Sequence, residues 1–221
     1  SYDCDGNCIA DVDCAGACGG SSVLDDCGEC DGDGYSCAEP VANLFFSEHA
    51  EGSSYNKYFE VYNASDATVE LDIYAFVNCS NGCDDWEYTT SFAEGASVEA
   101  GATYTVCHTR LDEASEYCSD GSDLAETECI AAGGTWEPAS ILASCDETRT
   151  LYHNGNDAQG LIYTPSNTLL DVVGDIATSN TYWDVAGVSE GTKDHTIVRK
   201  ASVSGGNAGD WATSAGTSED D

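Results

Sequence analysis

Residues 44–65 read LFFSEHAEGSSYNKYFEVYNAS, and how this stretch is read decides the fold. Aromatic and β-branched residues recur in partial alternation over 41–48 (VANLFFSE) and 57–63 (KYFEVYN), the pattern of strands that bury one face. The same enrichment returns at 68–77 (TVELDIYAFV), 86–92 (WEYTTSF), 102–108 (ATYTVCH), 160–164 (GLIYT), 169–175 (LLDVVGD) and 195–200 (HTIVRK). Between the strands, NASDA, EGASVEAG and NGND supply the Gly, Asn, Asp and Ser residues that tight connections need. Short strands at this spacing predict an antiparallel sandwich or barrel, an all-β fold.

Only 123–134 (DLAETECIAAGG) and 139–144 (ASILAS) read as helical. The first sits within 116–138, a stretch with its own cysteine pair, and predicts a self-contained loop insertion stapled by Cys118 and Cys129.

Composition changes near Pro40. Residues 1–40 form an Asp/Cys-rich segment with seven cysteines (Cys4, Cys8, Cys14, Cys18, Cys27, Cys30 and Cys37) and little that builds a core, whereas 41–221 carries the strands. The chain has 13 cysteines and no Met, which points to a disulfide framework formed in an oxidising compartment, and so to a secreted or cell-surface protein. Cys79 and Cys83 are expected to bridge a short loop, and Cys107 and Cys145 to pair across the insertion. With seven cysteines before residue 40 an odd one remains, for a free thiol, a partner in the other domain or a covalent tie to another chain. No run of 18 apolar residues exists, so no membrane span is expected, and the start at Ser1 fits a mature end after signal-peptide removal.

Asp and Glu number 41 against 6 Lys and Arg, a formal charge of −35, which argues against nucleic acid and anionic membrane and in favour of cations as partners. Adaptation to salty water accounts for the excess acid equally well. Within the N-terminal segment the carboxylates have a pattern: Asp3, Asp5 and Asn7, then Asp11 and Asp13, Asp25 and Asp26, Asp31 and Asp33, at alternate or adjacent positions around glycines. Calcium takes six to eight oxygens in a flexible shell, so these residues are candidate calcium ligands. A knot held by disulfides alone is the competing reading. Zinc on the CxxC pair Cys27 and Cys30 would need a second such pair or nearby histidines, and none lies close.

Residues 187–191 (GVSEG) match the G-x-S-x-G pattern, with His195 soon after. That elbow needs a strand before and a helix after; HTIVRK reads as a strand, so Ser189 and His195 are read as loop and strand, not as a catalytic pair. His49, His108 and His153 are scattered without metal-ligand spacing. Asn63 (NAS) and Asn78 (NCS) are formal glycosylation sequons, and NGND (154–157) reads as a turn.

The phrases LFFSEHAEGSSYNKYFEVYNAS, VELDIYAFV, LYHNGNDAQGLIY, LLDVVGD and WDVAGVSEGTKDHTIVRK, in that order, resemble the lamin tail domain as found in secreted bacterial proteins, over most of 41–217. The resemblance implies an immunoglobulin-like β-sandwich. Against that family the insertion at 113–138 is long, and the chain ends at TSEDD where relatives continue into a closing strand, which predicts an open sheet edge. Residues 3–37 resemble, more loosely, the calcium-dependent repeats of thrombospondin type 3 style. Taken together these features predict a non-enzymatic structural or adhesive protein that self-associates, as a filament or surface assembly, through calcium and disulfides. Contact with a cell surface or a polysaccharide, as an accessory module of a larger secreted enzyme, is the alternative.

Overall fold

The computed structural model describes residues 2–3, 7–25, 27–32, 34, 42–111, 116–119, 125–138, 141–177 and 182–218. The chain divides into two compact units, Ser1–Val41 with Tyr163–Thr168, and Ala42–Ile162 with Leu169–Asp221.

The larger unit is built on strands in the order β1 (Leu44–Glu51), β2 (Lys57–Asn63), β3 (Val69–Glu70), β4 (Tyr74–Cys79), β5 (Tyr88–Ser91), β6 (Ser97–Val98), β7 (Thr103–His108), β8 (Glu116–Cys118), β9 (Trp136–Pro138), β10 (Glu147–Arg149), β11 (Ala158–Tyr163), β12 (Thr168–Val173) and β13 (His195–Val198). Among the described residues two short helices, α1 (Glu126–Ala131) and α2 (Trp211–Ser214), accompany the strands, with 3-10 turns at Leu71–Ile73 and Ile141–Ser144. One sheet runs β10-β7-β2-β1-β13 and the other β12-β11-β4-β5. The all-β sandwich expected from the sequence is thus present.

The stretch 44–65 forms the β1–β2 hairpin, with a register shift between Phe46 and Glu48. β2 alternates buried and half-buried residues along its whole length, as its sequence pattern requires. Its inward residues Phe59 and Val61 are fully buried beside Phe46, Phe76 and Val106. Phe46, Phe59, Phe76, Phe92 and Tyr104 form a chain of edge-on aromatic contacts at 4.8–5.8 Å between ring centroids, and this chain carries the core from one sheet to the other.

The insertion is a hairpin, β8 paired with β9, plus α1, whose Cys129 is buried and disulfide-bonded. The side chain of Cys118, its expected partner, lies outside the described residues. Cys79–Cys83 and Cys107–Cys145 pair as expected.

The edge beside β1 is filled by β13, which pairs with it from Glu48↔Val198 to Glu51↔His195. The other sheet's outer strand β12 is covered by the segment after β13, where Ala208 N–H donates to Leu170 O and Asn207 Oδ1 accepts from Val172 N–H. HTIVRK thus forms the strand β13 at one end of its sheet, and among the described residues no strand pairs with its outer side.

Candidate functional site

In the N-terminal segment the pattern apolar-Asp-x-x-Gly-x-Cys occurs at 2–8, 12–18 and 24–30. Each copy closes on itself: Tyr2 bridges Cys8, Val12 bridges Cys18 and Leu24 bridges Cys30. Within the copies Asp3, Asp13 and Asp25 donate their N–H to Asn7 O, Ala17 O and Glu29 O at 2.8–3.0 Å. The same aspartates accept in return, since Oδ1 takes the N–H of Asn7, Ala17 and Glu29 at 2.7–2.8 Å. The second oxygen reaches out of the copy, to Ser22 N–H from Asp13 and to Gly34 N–H from Asp25. Gly20 and Gly32 sit against those carboxylates, and a Cβ at either would overlap the oxygen. Cys8–Cys18 and Cys14–Cys30 join successive copies, and Cys27 is also disulfide-bonded. With Cys27 and Cys30 both oxidised, the zinc reading of that pair has no thiolates to use.

The candidate calcium ligands therefore divide. Asp3, Asp13 and Asp25 spend their lone pairs on N–H donors, and those bonds hold the Asp25 carboxyl below its ordinary range. Asn7 turns its amide back onto Asp3. Asp11 and Asp31 are exposed, with Asp31 accepting from Val23 N–H. Asp5, Asp26, Asp33, Cys4 and Cys37 lie outside the described residues. Among the described residues, no three His, Cys, Asp or Glu side chains are grouped to hold a metal.

The sandwich buries a polar chain that the scattered histidines did not announce. His153 Nε2 lies 3.0 Å from Ala50 O, which only accepts, so this nitrogen carries the hydrogen. Nδ1 must then accept from Gln159 Nε2 at 3.0 Å, leaving Gln159 Oε1 to accept from His49 Nε2 at 2.9 Å. The bonds hold only with the His153 ring neutral, since its Nδ1 accepts from the Gln159 amide. Burial lowers His49 to about 4 and His153 well below its ordinary value. Beside them the buried pair Glu51–Lys57 closes at 2.8 Å, and the other Glu51 oxygen accepts from Asp194 N–H. These groups fix the β1, β11 and β13 ends in place.

The sequons behave differently from one another. Asn63 is fully buried and its amide donates to the carbonyls of Ala67, Val98 and Glu99, so it staples β2 to the 97–99 segment and is closed to modification in the folded chain. Asn78 is half-buried on β4. GVSEG lies in turns around the Val185↔Val188 bridge, with exposed Ser189 and no helix after it; the nucleophile-elbow geometry is missing. NGND is the expected turn, with Asp157 N–H donating to Asn154 O.

A groove of about 290 Å³ runs over β1 and β13, lined by Phe46, His49, Val185, Val198, Val203 and Trp211, with Arg199 and Lys200 at its side. No described strand flanks β13 there, and Val198 is 62% exposed.

Two sheets packed through a shared aromatic core define an immunoglobulin-like β-sandwich. Residues 38–177 match the family model described as Lamin Tail Domain, and the chain belongs to that family. The family is a non-catalytic, immunoglobulin-like fold that can mediate protein interactions. The match ends before β13, short of the span over which the sequence resembles the family. No curated protein matches the chain. No described helix is long and apolar enough to cross a membrane.

Proposed function

We propose that this protein is a non-enzymatic extracellular module that self-associates through the outer edge of β13 into a filament or surface assembly. The observation that carries the reading is a sheet ending on a strand that, among the described residues, has no outer neighbour, beside an apolar groove that holds Trp211. A strand from a second copy satisfies the free N–H and C=O groups of such an edge while its side chains enter the groove. The disulfides linking successive N-terminal copies fit an oxidising environment outside the cell.

Copies that each carry a formal charge of −35 repel one another at close range, and divalent cations relieve that repulsion. Calcium is the proposed ion. Exposed carboxylates such as Asp11 and Asp31 support it as a surface counter-ion, whereas the inward-turned Asp3, Asp13 and Asp25 do not form a cage for it. Light scattering in excess calcium and then in excess EGTA tests the reading. Large particles that fall to smaller species on chelation are expected; a monomer under both conditions contradicts self-association, and particles indifferent to EGTA contradict the role of calcium.

A further inference from the structure

Association through β13 leaves open which part of the second copy meets it. A β13 strand paired with another β13 uses both edges and closes as a two-fold dimer, whereas a contact between unlike patches repeats from copy to copy and grows into a filament. The partner surface in a filament is therefore a different stretch of the chain, and the charge and apolar character around β13 limit which one.

Residues 195–209, which begin with β13, form the longest run of the sequence free of Asp and Glu, 15 residues, and they carry Arg199 and Lys200, two of the six Lys and Arg in the chain. Arg199 is engaged by Asp171, while Lys200 is exposed at the side of the groove. Glu48 is the one carboxylate in the groove lining, and it accepts from Tyr58 Oη. On a chain of charge −35 this is a place where another anionic segment approaches without meeting a row of carboxylates, and the valines and Trp211 of the groove favour a segment that is apolar as well.

The N-terminal segment combines both properties. Residues 1–41 hold ten Asp and Glu and no Lys or Arg. Of the eleven large apolar side chains that stand exposed among the described residues, five belong to it: Tyr2, Ile9, Val12, Val23 and Leu24, at 57–70%. They recur with the copies, Ile9 and Val12 on either side of the exposed Asp11, and Val23 and Leu24 just before Asp25. The disulfides between copies and the aspartate-closed turns fix the backbone that presents them. Apolar side chains held outward in this way mark a surface that meets a partner.

We infer that the groove over β1 and β13 receives the Asp/Cys-rich N-terminal segment of a second copy. The apolar side chains of the segment enter beside Val198 and Trp211, and carboxylates such as Asp11 face Lys200. The contact joins unlike patches, so each copy gives its segment to one neighbour and its groove to another. This inference rests on the self-association proposed above and adds the identity of the partner surface.

Two full-length variants test it by sedimentation in excess calcium, each alone and in equimolar mixture. Val198→Glu spoils the groove and leaves the segment intact. Ile9→Lys with Val23→Lys spoils the segment and leaves the groove intact; both side chains are exposed and lie outside the Tyr2, Val12 and Leu24 bridges, so circular dichroism is expected to match the parent. Each variant alone is expected to sediment as a monomer, and the mixture to give a species of twice the monomer mass and nothing larger, because one intact segment meets one intact groove. Lys200→Glu, which leaves the segment untouched, is expected to lose assembly as Val198→Glu does. A double-lysine variant that assembles like the parent while Val198→Glu does not, a mixture that stays monomeric, or a Lys200→Glu chain indistinguishable from the parent overturns the inference and leaves association through β13 standing. A parent that stays monomeric, or Val198→Glu assembling like the parent, overturns both.

Discussion

Asp171 Oδ1 lies 2.6 Å from Arg199 Nη2, and the pair joins β12 of one sheet to the chain just past β13 of the other. Arg199 Nε also donates to Phe46 O, while the two Asp171 oxygens accept from Phe46 N–H and Asn207 N–H. Burial pushes the Asp171 carboxyl up, against the pull of Arg199 and these donors. The clamp fixes β13 on the sheet edge and the 204–210 cover on β12.

Replacing Asp171 with Ala leaves Nη2 of a half-buried guanidinium and the N–H groups of Phe46 and Asn207 without their acceptor. A loss of about 3–5 kcal/mol is expected, the usual consequence of breaking one side of a buried pair. Urea unfolding measures it; a loss below about 1 kcal/mol, as for an exposed pair, contradicts the clamp.

Acid should unfold the sandwich through its histidines. His49 in the folded chain binds its proton only near pH 4, against 6.5 for the free side chain, so the unfolded state takes up protons first as pH falls. Stability is therefore complete above pH 6.5 and declines between 6.5 and about 4, by on the order of 3 kcal/mol for His49, with His153 acting in the same direction. Melting temperature against pH for the parent and for His49→Gln gives the comparison; an equal decline in both excludes His49 as the cause.

Asn63→Ala removes a donor shared by three buried or half-buried carbonyls. A destabilisation of about 1–3 kcal/mol is expected from the carbonyls left unmatched. Mass spectrometry of folded chain from a glycosylating host is expected to find Asn63 unmodified.

The N-terminal copies should hold their shape above the acid range. Asp25 has a lowered carboxyl because it accepts from the N–H of Glu29, Gly34 and Cys27, so its hold is full above 3.8 and lost as pH falls below that value. Hydrogen exchange at Glu29 and Gly34 is expected to be slow at neutral pH, and fast there in Asp25→Ala. Equal exchange in both chains contradicts the capping role.

Much of this architecture is legible in the sequence. The alternation of KYFEVYN gave β2 and its buried face, HTIVRK gave β13, and the spacing of Cys79 to Cys83 gave a loop bridge. β10 was not legible: ETR is three residues long, and it becomes a strand only through its parallel pairing with β7. The histidine chain was hidden because Gln159, which joins His49 to His153, stands 110 residues from His49. Asn63 read as a turn residue and a sequon, since nothing local tells a buried amide from an exposed one. In the first segment the signal was present but of another kind. Asp spacing suggested ligands, whereas the repeated Asp-x-x-Gly-x-Cys frame marks a carboxylate that closes its own turn.

The most direct test of the central claim is electron microscopy with light scattering of the parent and of Val198→Glu, side by side in excess calcium. Val198 is exposed on the free edge strand, so the new carboxylate leaves the core intact but brings like charge to any strand added there. Assemblies are expected for the parent and single particles for the variant, with equal melting temperatures. Identical assemblies from both chains, or none from the parent, would contradict association through β13.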